Sequence, residues 1–370
     1  MARIPSNTLV ASVAVAVAVA CADPSSPSPD AARPAGETAS AAVAPILRVQ
    51  HSGTTQRLQA ISPVTDQIVW ASGVGGTFAL TTDGGRNWRS SVVEGAELLQ
   101  FRDVHGVSDR EAYLLSAGVG TDSRIYKTVN GGGTWTLQFT NQLAAGFYDC
   151  FDFWTPDRGI TMGDAVNGRL PVLRTRSGER WFRIGNKLPP ALPGEAAFAA
   201  SGTCVETQGT NRAWIATGAA EHARILATTD GGDTWNAYAT PIVQGTPASG
   251  LFTVAFRDAQ HGILAGGDLE APDALSDNVA VSSDGGKTWA LTTGTPFPGA
   301  AYGLSYVPST RQGERRRVVI TGPGGAAWTP NEGGTWRLLP EVRDYWAVAF
   351  ADRKHGWLVG TEGRILKIIF

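Results

Sequence analysis

The chain has 370 residues, with 31 basic against 33 acidic side chains, and it contains 45 glycines, 12 tryptophans and 3 cysteines. The near balance of charge excludes the sequence-independent nucleic-acid binding of a strongly basic chain. Length alone would suggest two domains, but large β folds often extend this far as one body, and the many glycines and tryptophans favour that interpretation.

The beginning of the chain differs in composition from the rest. Arg3 precedes an apolar run from Leu9 to Ala20, shorter than the ~20 residues of a membrane-spanning helix, which predicts an export signal over residues 1–21. Val19-Ala20-Cys21 resembles the end of a bacterial lipoprotein signal, so Cys21 would carry the lipid; ordinary cleavage is the alternative. Residues 22–44, rich in Pro, Ser and Ala, predict a disordered tether. We therefore expect an exported protein, periplasmic or at the cell surface, whose membrane contact is the lipid anchor.

One short phrase occurs six times in the remainder of the chain. It first reads Thr81-Thr82-Asp83-Gly84-Gly85-Arg86-Asn87-Trp88, and the tryptophans that end successive copies are 47, 46, 54, 54 and 47 residues apart. This period, with turn signals between short β-rich runs, is typical of four-stranded propeller blades. Paired glycines supply positive φ for a tight turn, and the Asp or Asn can bond backbone amides. The residues predicted to be structural for this reason are Asp83, Trp88, Asn130, Trp135, Trp181, Asp230, Trp235, Asp284, Trp289, Asn331 and Trp336.

The blades can be counted from the strands around this phrase. Alternating apolar residues predict strands one and two, the run before the phrase is strand three, and its Trp begins strand four. Six blades end in the phrase, whereas the last, from Tyr345, stops after strand three at Phe370. The alternating segment Pro45–His51 has no hairpin partner of its own. The sequence predicts an all-β fold, one seven-bladed β-propeller over residues 45–370, closed by pairing of N- and C-terminal strands.

Cysteine and histidine positions bear on cross-links and metals. Cys150 and Cys204 occupy equivalent sites on the innermost strands of neighbouring blades, which predicts either a disulfide or two buried thiols. Two cysteines without nearby histidines fall short of a zinc ligand set. His105, His261 and His355 share one repeat position in three blades and cannot converge on one ion, so no metal site is predicted.

The phrase is the Asp-box, also called the bacterial neuraminidase repeat. With the frame Phe-x-Asp-x-x-His-Gly-Trp-x-x-Gly at residues 350–360, it resembles the photosystem II stability/assembly factor family over nearly all of residues 46–370. Residues 147–149, 162–169 and 194–203 resemble exported bacterial relatives often labelled oxidoreductases. No cofactor is predicted, because Rossmann, flavin and haem-attachment motifs do not occur. The resemblance implies a non-enzymatic scaffold that binds a protein partner, such as a membrane complex under assembly.

Two function classes follow. The first is a binding propeller whose channel mouth holds a protein or, alternatively, a glycan; its candidate residues are Tyr148, Asp149, Asp164, Arg169 and Asp268. The second is a glycoside hydrolase, sialidase-like or of another Asp-box type, which needs two carboxyls facing one sugar. Its candidate acids are Asp149, Asp164, Glu195 and Asp268. We favour binding, and we expect these acids to be dispersed around the rim because different loops carry them.

Overall fold

A computed structural model of the chain describes residues 44–370. They form seven four-stranded antiparallel sheets, which confirms the predicted seven-bladed propeller. The predicted export signal, lipidated Cys21 and nearly all of the predicted tether lie outside the described residues. Within the described part, no helix has the length and apolar character needed to cross a membrane.

Twenty-eight strands build the ring. In chain order they are β1 (Ile46–His51), β2 (Leu58–Pro63), β3 (Val69–Gly73), β4 (Thr77–Thr81), β5 (Arg89–Val92), β6 (Phe101–Gly106), β7 (Ala112–Ser116), β8 (Arg124–Thr128), β9 (Thr136–Thr140), β10 (Tyr148–Thr155), β11 (Arg158–Gly163), β12 (Val172–Thr175), β13 (Trp181–Arg183), β14 (Val205–Gln208), β15 (Arg212–Thr217), β16 (Arg224–Thr228), β17 (Asn236–Ala239), β18 (Ser249–Phe256), β19 (Gly262–Asp268), β20 (Val279–Ser282), β21 (Ala290–Leu291), β22 (Gly303–Tyr306), β23 (Val318–Gly322), β24 (Gly325–Thr329), β25 (Arg337–Leu338), β26 (Tyr345–Phe350), β27 (His355–Gly360) and β28 (Arg364–Ile369). Single turns of 3₁₀ helix occupy Gly120–Asp122, Gly185–Lys187, Gln312–Glu314 and Thr361–Gly363.

Each blade runs from a buried inner strand to an exposed outer one. Blades 1 to 6 contain β2–β5, β6–β9, β10–β13, β14–β17, β18–β21 and β22–β25, and blade 7 contains β26–β28 with β1 outermost. All residues of β18 are buried, whereas both residues of β21 are exposed. The core lies between neighbouring blades, as where Trp214 of blade 4 stacks on Phe256 of blade 5 with ring centroids 3.7 Å apart.

The repeated phrase forms the turn between the third and fourth strands. In the first copy Thr81 Oγ1 accepts a hydrogen bond from the Gly85 amide at 3.0 Å, and Asp83 Oδ1 accepts one from the Asn87 amide at 2.9 Å. Hydrogen bonds from Asn87 lower the pKa of Asp83 to about 2. The equivalent hydrogen bond, from a backbone amide to the side-chain oxygen of the Asp or Asn, recurs at Asn130, Asp230, Asp284 and Asn331. The third, shorter copy keeps the threonine hydroxyl bond.

The antiparallel order gives the propeller two distinct faces. The six repeated turns lie at the end of the blades that also carries the hairpins between strands one and two, and we call this end the box face. The opposite end carries the loops between strands two and three and the connections that enter each inner strand; we call it the mouth face.

The ring is closed within blade 7. Ile46 pairs with Ile369, and the register continues along the whole of β1 and β28, which confirms the predicted closure. Gln50 then ties this blade to blade 1, because its Oε1 accepts hydrogen bonds from the indoles of Trp88 at 3.0 Å and Trp357 at 3.1 Å.

Truncation tests this closure. Deleting residues 1–52 removes β1 and leaves β28 unpaired, so we expect a clear fall in melting temperature by differential scanning calorimetry. Deleting residues 1–43 keeps β1 and should leave the melting temperature unchanged. Equal melting temperatures for the two truncations would contradict the closure argument.

Candidate functional site at the channel mouth

Five inner strands carry a β-bulge at the same level of the ring. In blade 1, Leu58 pairs with Gly73 and Ala60 with Ser72, so Gln59 is the extra residue. The extra residues of blades 2, 3, 5 and 7 are Arg102, Asp149, Phe252 and Trp346. A bulge re-aims a side chain and is common beside binding sites. These bulges therefore bring side chains from separate blades to one level near the mouth face.

Four aromatic side chains form an arc at this level. Phe198 and Phe252 stack with centroids 4.1 Å apart, Phe252 and Tyr302 follow at 5.5 Å, and Tyr302 meets Trp346 edge-on at 4.9 Å. Phe252 is buried, and the other three rings are half-buried. The guanidinium carbon of Arg57 lies 4.4 Å from the Trp346 ring centroid. This aromatic arc lines a cavity of about 260 Å³.

The segment of residues 196–203, which we call the plug, crosses the channel and contributes Phe198 to the arc. It precedes β14 in blade 4, yet Ser201 Oγ donates a hydrogen bond to the Tyr302 carbonyl of blade 6 at 2.7 Å. The Ala199 carbonyl accepts one from Arg102 of blade 2 at 3.3 Å. Because blades 2 and 6 stand on opposite sides of the ring, the plug spans the channel, and its residues Ala197 to Ala200 help to line the cavity.

A disulfide fixes one end of the plug. Cys150 and Cys204 are bonded, with Cα atoms 5.8 Å apart. Cys204 follows the plug directly, and Cys150 follows Asp149. The cross-link therefore holds the plug against the inner strand of blade 3.

Removing the disulfide should destabilise the protein. Its half-cystines are 54 residues apart. For a loop of that size, the chain-entropy account gives a loss of about 4 kcal/mol in the free energy of unfolding when Cys150→Ser and Cys204→Ser are combined. Urea unfolding with and without reductant measures this loss, and reductant should affect the wild type but not the double variant. Indistinguishable unfolding curves would show that the cross-link contributes nothing.

Asp149 and Asp164 form a carboxyl pair beside the arc. Asp149 is 1 % exposed, and Asp149 and Asp164 line the same cavity. Burial, followed by the neighbouring charge of Asp164, raises the pKa of Asp149 well above its ordinary value. Burial also raises the pKa of Asp164 to about 6. Two buried carboxyls that interact in this way do not titrate independently. The expectation that the acids are dispersed is therefore wrong for these two, because the end of β11 returns Asp164 to the start of β10.

Two guanidinium groups lie close to this pair and the arc. Arg102 donates to Gln100 Oε1 at 2.8 Å, and burial, then the charge of Arg57, lowers its pKa. The Nε of Arg57 is buried and has no acceptor among the described residues. Within residues 44–370, neither guanidinium forms an ion pair with a carboxylate. The mouth thus combines an apolar wall with two guanidiniums that form no direct ion pair, although the charge of Asp149 acts on Arg102.

Two of the predicted binding residues lie away from this cavity. Tyr148 is fully buried and packs edge-on against Phe139 at 5.5 Å, so its position does not support a role in binding. Arg169 is exposed and lines a separate cavity of about 500 Å³ together with Arg183. Tyr148 precedes the mouth residue Asp149, but successive side chains of a strand point to opposite faces, so Tyr148 lies in the core. Arg169 follows Asp164 in the loop after β11, and this loop carries it to the separate cavity.

The two other predicted acids are engaged locally. Glu195 is fully buried and pairs with Arg224 at 2.6 Å, so it anchors the start of the plug. Asp268 Oδ1 accepts a hydrogen bond from the Glu270 amide at 2.9 Å and caps its own loop. Neither residue lines the cavity beside Asp149 and Asp164, so the four candidate catalytic acids do not converge.

Sequence reasoning missed most of the mouth. The residues that it did not single out are Arg57, Arg102, Phe198, Phe252, Tyr302 and Trp346. A signal exists for two of them, because Phe252 and Trp346 both stand four residues before the phenylalanine that ends strand one. Aligning the repeats at that position would have shown an aromatic side chain at the start of two inner strands.

One group of potential metal ligands occurs among residues 44–370. Ligand atoms of Asp66, Asp352 and His355 lie within 4.8 Å of one another on the box face, at the seam between blades 1 and 7. Asp352 already accepts hydrogen bonds from the amides of Lys354 at 2.7 Å and His355 at 2.8 Å. These are the contacts of a hairpin turn, and we infer no metal function from them.

No protein-family model and no curated protein matches the chain. Solved structures do resemble it. YCF48 bound to D1 peptide is 14 % identical with a TM-score of 0.61, covering 88 % of this chain and 97 % of that one. YCF48 from Cyanidioschyzon merolae is 16 % identical, with a TM-score of 0.61 and coverage of 88 % and 99 %. Catalytically inactive virginiamycin B lyase from Staphylococcus aureus with Quinupristin is 12 % identical, with a TM-score of 0.63 and coverage of 88 % and 99 %. At these identities the likeness shows the propeller fold alone.

The carboxyl pair should make stability depend on pH. A pKa that is higher in the folded than in the unfolded state means that the protonated form stabilises the fold. The pair's contribution to the free energy of unfolding is therefore lost as pH rises from about 4 through about 6. Asp149→Asn should therefore raise the melting temperature at pH 8 and have a smaller effect at pH 4.

Asp83→Asn is a control for which we expect the melting temperature at pH 8 to fall. Hydrogen bonds from Asn87 lower the pKa of Asp83 to about 2, so its charged form stabilises the fold. Thermal unfolding monitored by circular dichroism at both pH values measures the two variants. If Asp149→Asn lowered the melting temperature at pH 8, the pair would not carry the cost that we assign to it.

Proposed function

We propose that the protein is an exported, lipid-anchored, non-enzymatic β-propeller that binds a segment of a partner protein at its mouth, in the manner of an assembly factor. The observation that carries the proposal is the aromatic arc beside Arg57 and Arg102, two guanidiniums without carboxylate partners. An apolar side chain of the partner would pack on the arc, and an acidic group would pair with a guanidinium.

The plug restricts how a partner can bind. Because the plug, residues 196–203, crosses the channel, the partner's segment would enter from the mouth face and stop at the plug. A cavity of about 260 Å³ accommodates one or two side chains, so the rest of the contact surface would be the surrounding loops.

The comparisons support this proposal through the fold. YCF48 has been solved with a D1 peptide, so a propeller of this shape accommodates a peptide ligand. We also propose that the six turns are Asp-boxes and that the chain is related to the photosystem II stability/assembly factor family, with a membrane complex under assembly as the partner. The hydrogen bonds that Asp83, Asp230 and Asp284 accept from backbone amides of their turns support the first of these assignments.

The Asp149–Asp164 pair is the feature that favours an enzyme instead. Glycosidase carboxyls stand ~5 to 5.5 Å apart for retention and ~6.5 to 9.5 Å apart for inversion. Asp149 is only 1 % exposed, and Glu195 and Asp268 are engaged elsewhere, so none of the candidate acids offers Asp164 an accessible partner across a sugar ring. We therefore infer that the pair shapes the polar side of a binding site. A glycan remains the alternative ligand, since sugar rings also stack on aromatic side chains.

The test combines capture with a defined variant. Full-length wild-type protein, Trp346→Ala and Phe182→Ala are used to isolate partners from the membrane fraction, and the captured segment is then titrated by calorimetry. Losing an aromatic anchor at the centre of an interface should weaken binding on the order of 30-fold for Trp346→Ala. Phe182 is 59 % exposed on the outer strand of blade 3, so its removal should leave affinity unchanged.

Two results would overturn the proposal. One is equal affinity of wild-type protein and Trp346→Ala for the captured segment. The other is turnover of sialosides, xyloglucan or aryl glycosides that is lost in Asp164→Asn, because this would establish the hydrolase.

A further inference from the structure

A third, wider cavity lies on the box face, at the inner hairpins of blades 5, 6 and 7. Its volume is about 790 Å³. Its wall is partly apolar, with Phe256, Tyr306 and Pro308, and its rim is basic, with Arg315, Arg353 and Lys354.

The three basic residues are poorly compensated. Among residues 44–370, Arg353 and Lys354 form no side-chain hydrogen bond or ion pair. Arg315 lies 3.9 Å from a carboxylate oxygen of Asp258, which is already paired with Arg257 at 2.7 Å.

Two neighbouring groups are satisfied within the protein. Arg316 pairs with Glu332 at 2.7 Å. Asp352, the acid that lines the cavity, is bonded to His355 at 3.0 Å. The cavity therefore carries an excess of positive charge that the protein itself does not neutralise.

The N-terminal end of the described chain lies on this same face. Ile46 begins β1 opposite Ile369, and the Phe370 amide donates to the Lys354 carbonyl at 3.0 Å. The 43 residues that precede the described part are therefore joined to the propeller beside the basic rim. Trp346 and the rest of the aromatic arc lie at the opposite end of the blades.

We propose that this basic face binds the anionic lipid headgroups of the membrane to which the protein is attached, so that the mouth points away from that membrane. The inference rests on the proposed membrane location but not on what the mouth binds. The guanidinium of arginine can donate two parallel hydrogen bonds to the oxygens of one phosphate. Each basic residue within a Debye length of an anionic surface also adds electrostatic attraction to the membrane. Because the attachment point and the basic rim lie on one face, the lipid anchor and the basic residues can bind the same membrane at the same time.

Vesicle binding tests the proposal without any anchor. Residues 44–370 contain the complete closed ring, with β1 paired to β28, so this part serves as an anchor-free protein. We expect it to sediment with vesicles of phosphatidylcholine mixed with phosphatidylglycerol, not with phosphatidylcholine alone, and to be released by salt. The variant R315Q/R353Q/K354Q should partition on the order of 100-fold less strongly, as three basic residues imply.

A matched variant, R110Q/R176Q/R180Q, removes the same charge from the box face of blades 2 and 3 and should retain binding. Equal losses in the two triple variants would mean unspecific attraction and would overturn the proposal, as would absence of binding to the anionic vesicles. Inorganic phosphate that raises the melting temperature of the wild type, without vesicle binding, would assign a free-anion site instead. Failure of the Trp346→Ala test would leave the vesicle result unaffected, so the two proposals fail separately.

Discussion

Pairing of β1 with β28 is the constraint on which the rest of the structure depends. Each blade packs on two neighbours, so a ring with one missing strand would leave a polar sheet edge open and would loosen two interfaces. The candidate site spans this seam. Arg57 directly precedes β2 of blade 1, and its guanidinium carbon lies 4.4 Å from the ring centroid of Trp346 in blade 7. Closure of the ring therefore also brings Arg57 to Trp346, and Gln50 holds the seam by binding the indoles of Trp88 and Trp357.

The mouth is built from small local departures rather than from an added domain. One extra residue in an inner strand turns a side chain toward the axis, and five blades do this with different chemistry. Blades 5 and 7 contribute aromatic rings, blade 2 a guanidinium and blade 3 a carboxyl. The plug crosses the channel beside them, and the disulfide of Cys150 and Cys204 fixes its end. The distinctive chemistry of the mouth therefore resides in positions that a regular propeller leaves free.

The two faces treat their acids in opposite ways. On the box face, hydrogen bonds within each turn lower the pKa of Asp83, Asp230 and Asp284 to about 2, so these carboxylates stay charged and serve the turn. At the mouth, burial raises the pKa of Asp149 and Asp164, which favours the protonated form of each carboxyl. The first arrangement stabilises a scaffold. The second keeps a buried polar surface at reduced charge beside Arg102, which suits recognition of a ligand.

The sequence by itself determined the fold, because period, turn and strand pattern are local properties. The spacing of the tryptophans gave the blades, and the unpartnered Ile46–Gln50 gave the closing pair. Equivalent repeat positions also placed Cys150 and Cys204 on neighbouring inner strands. The tertiary structure decided the site. Ser201 meets Tyr302 across 101 residues, and no spacing predicts a segment that crosses a ring. The arc, the plug and the Asp149–Asp164 pair depend on bulges and on convergence at the axis. Such contacts arise when the ring closes, and they leave no periodic trace in the chain.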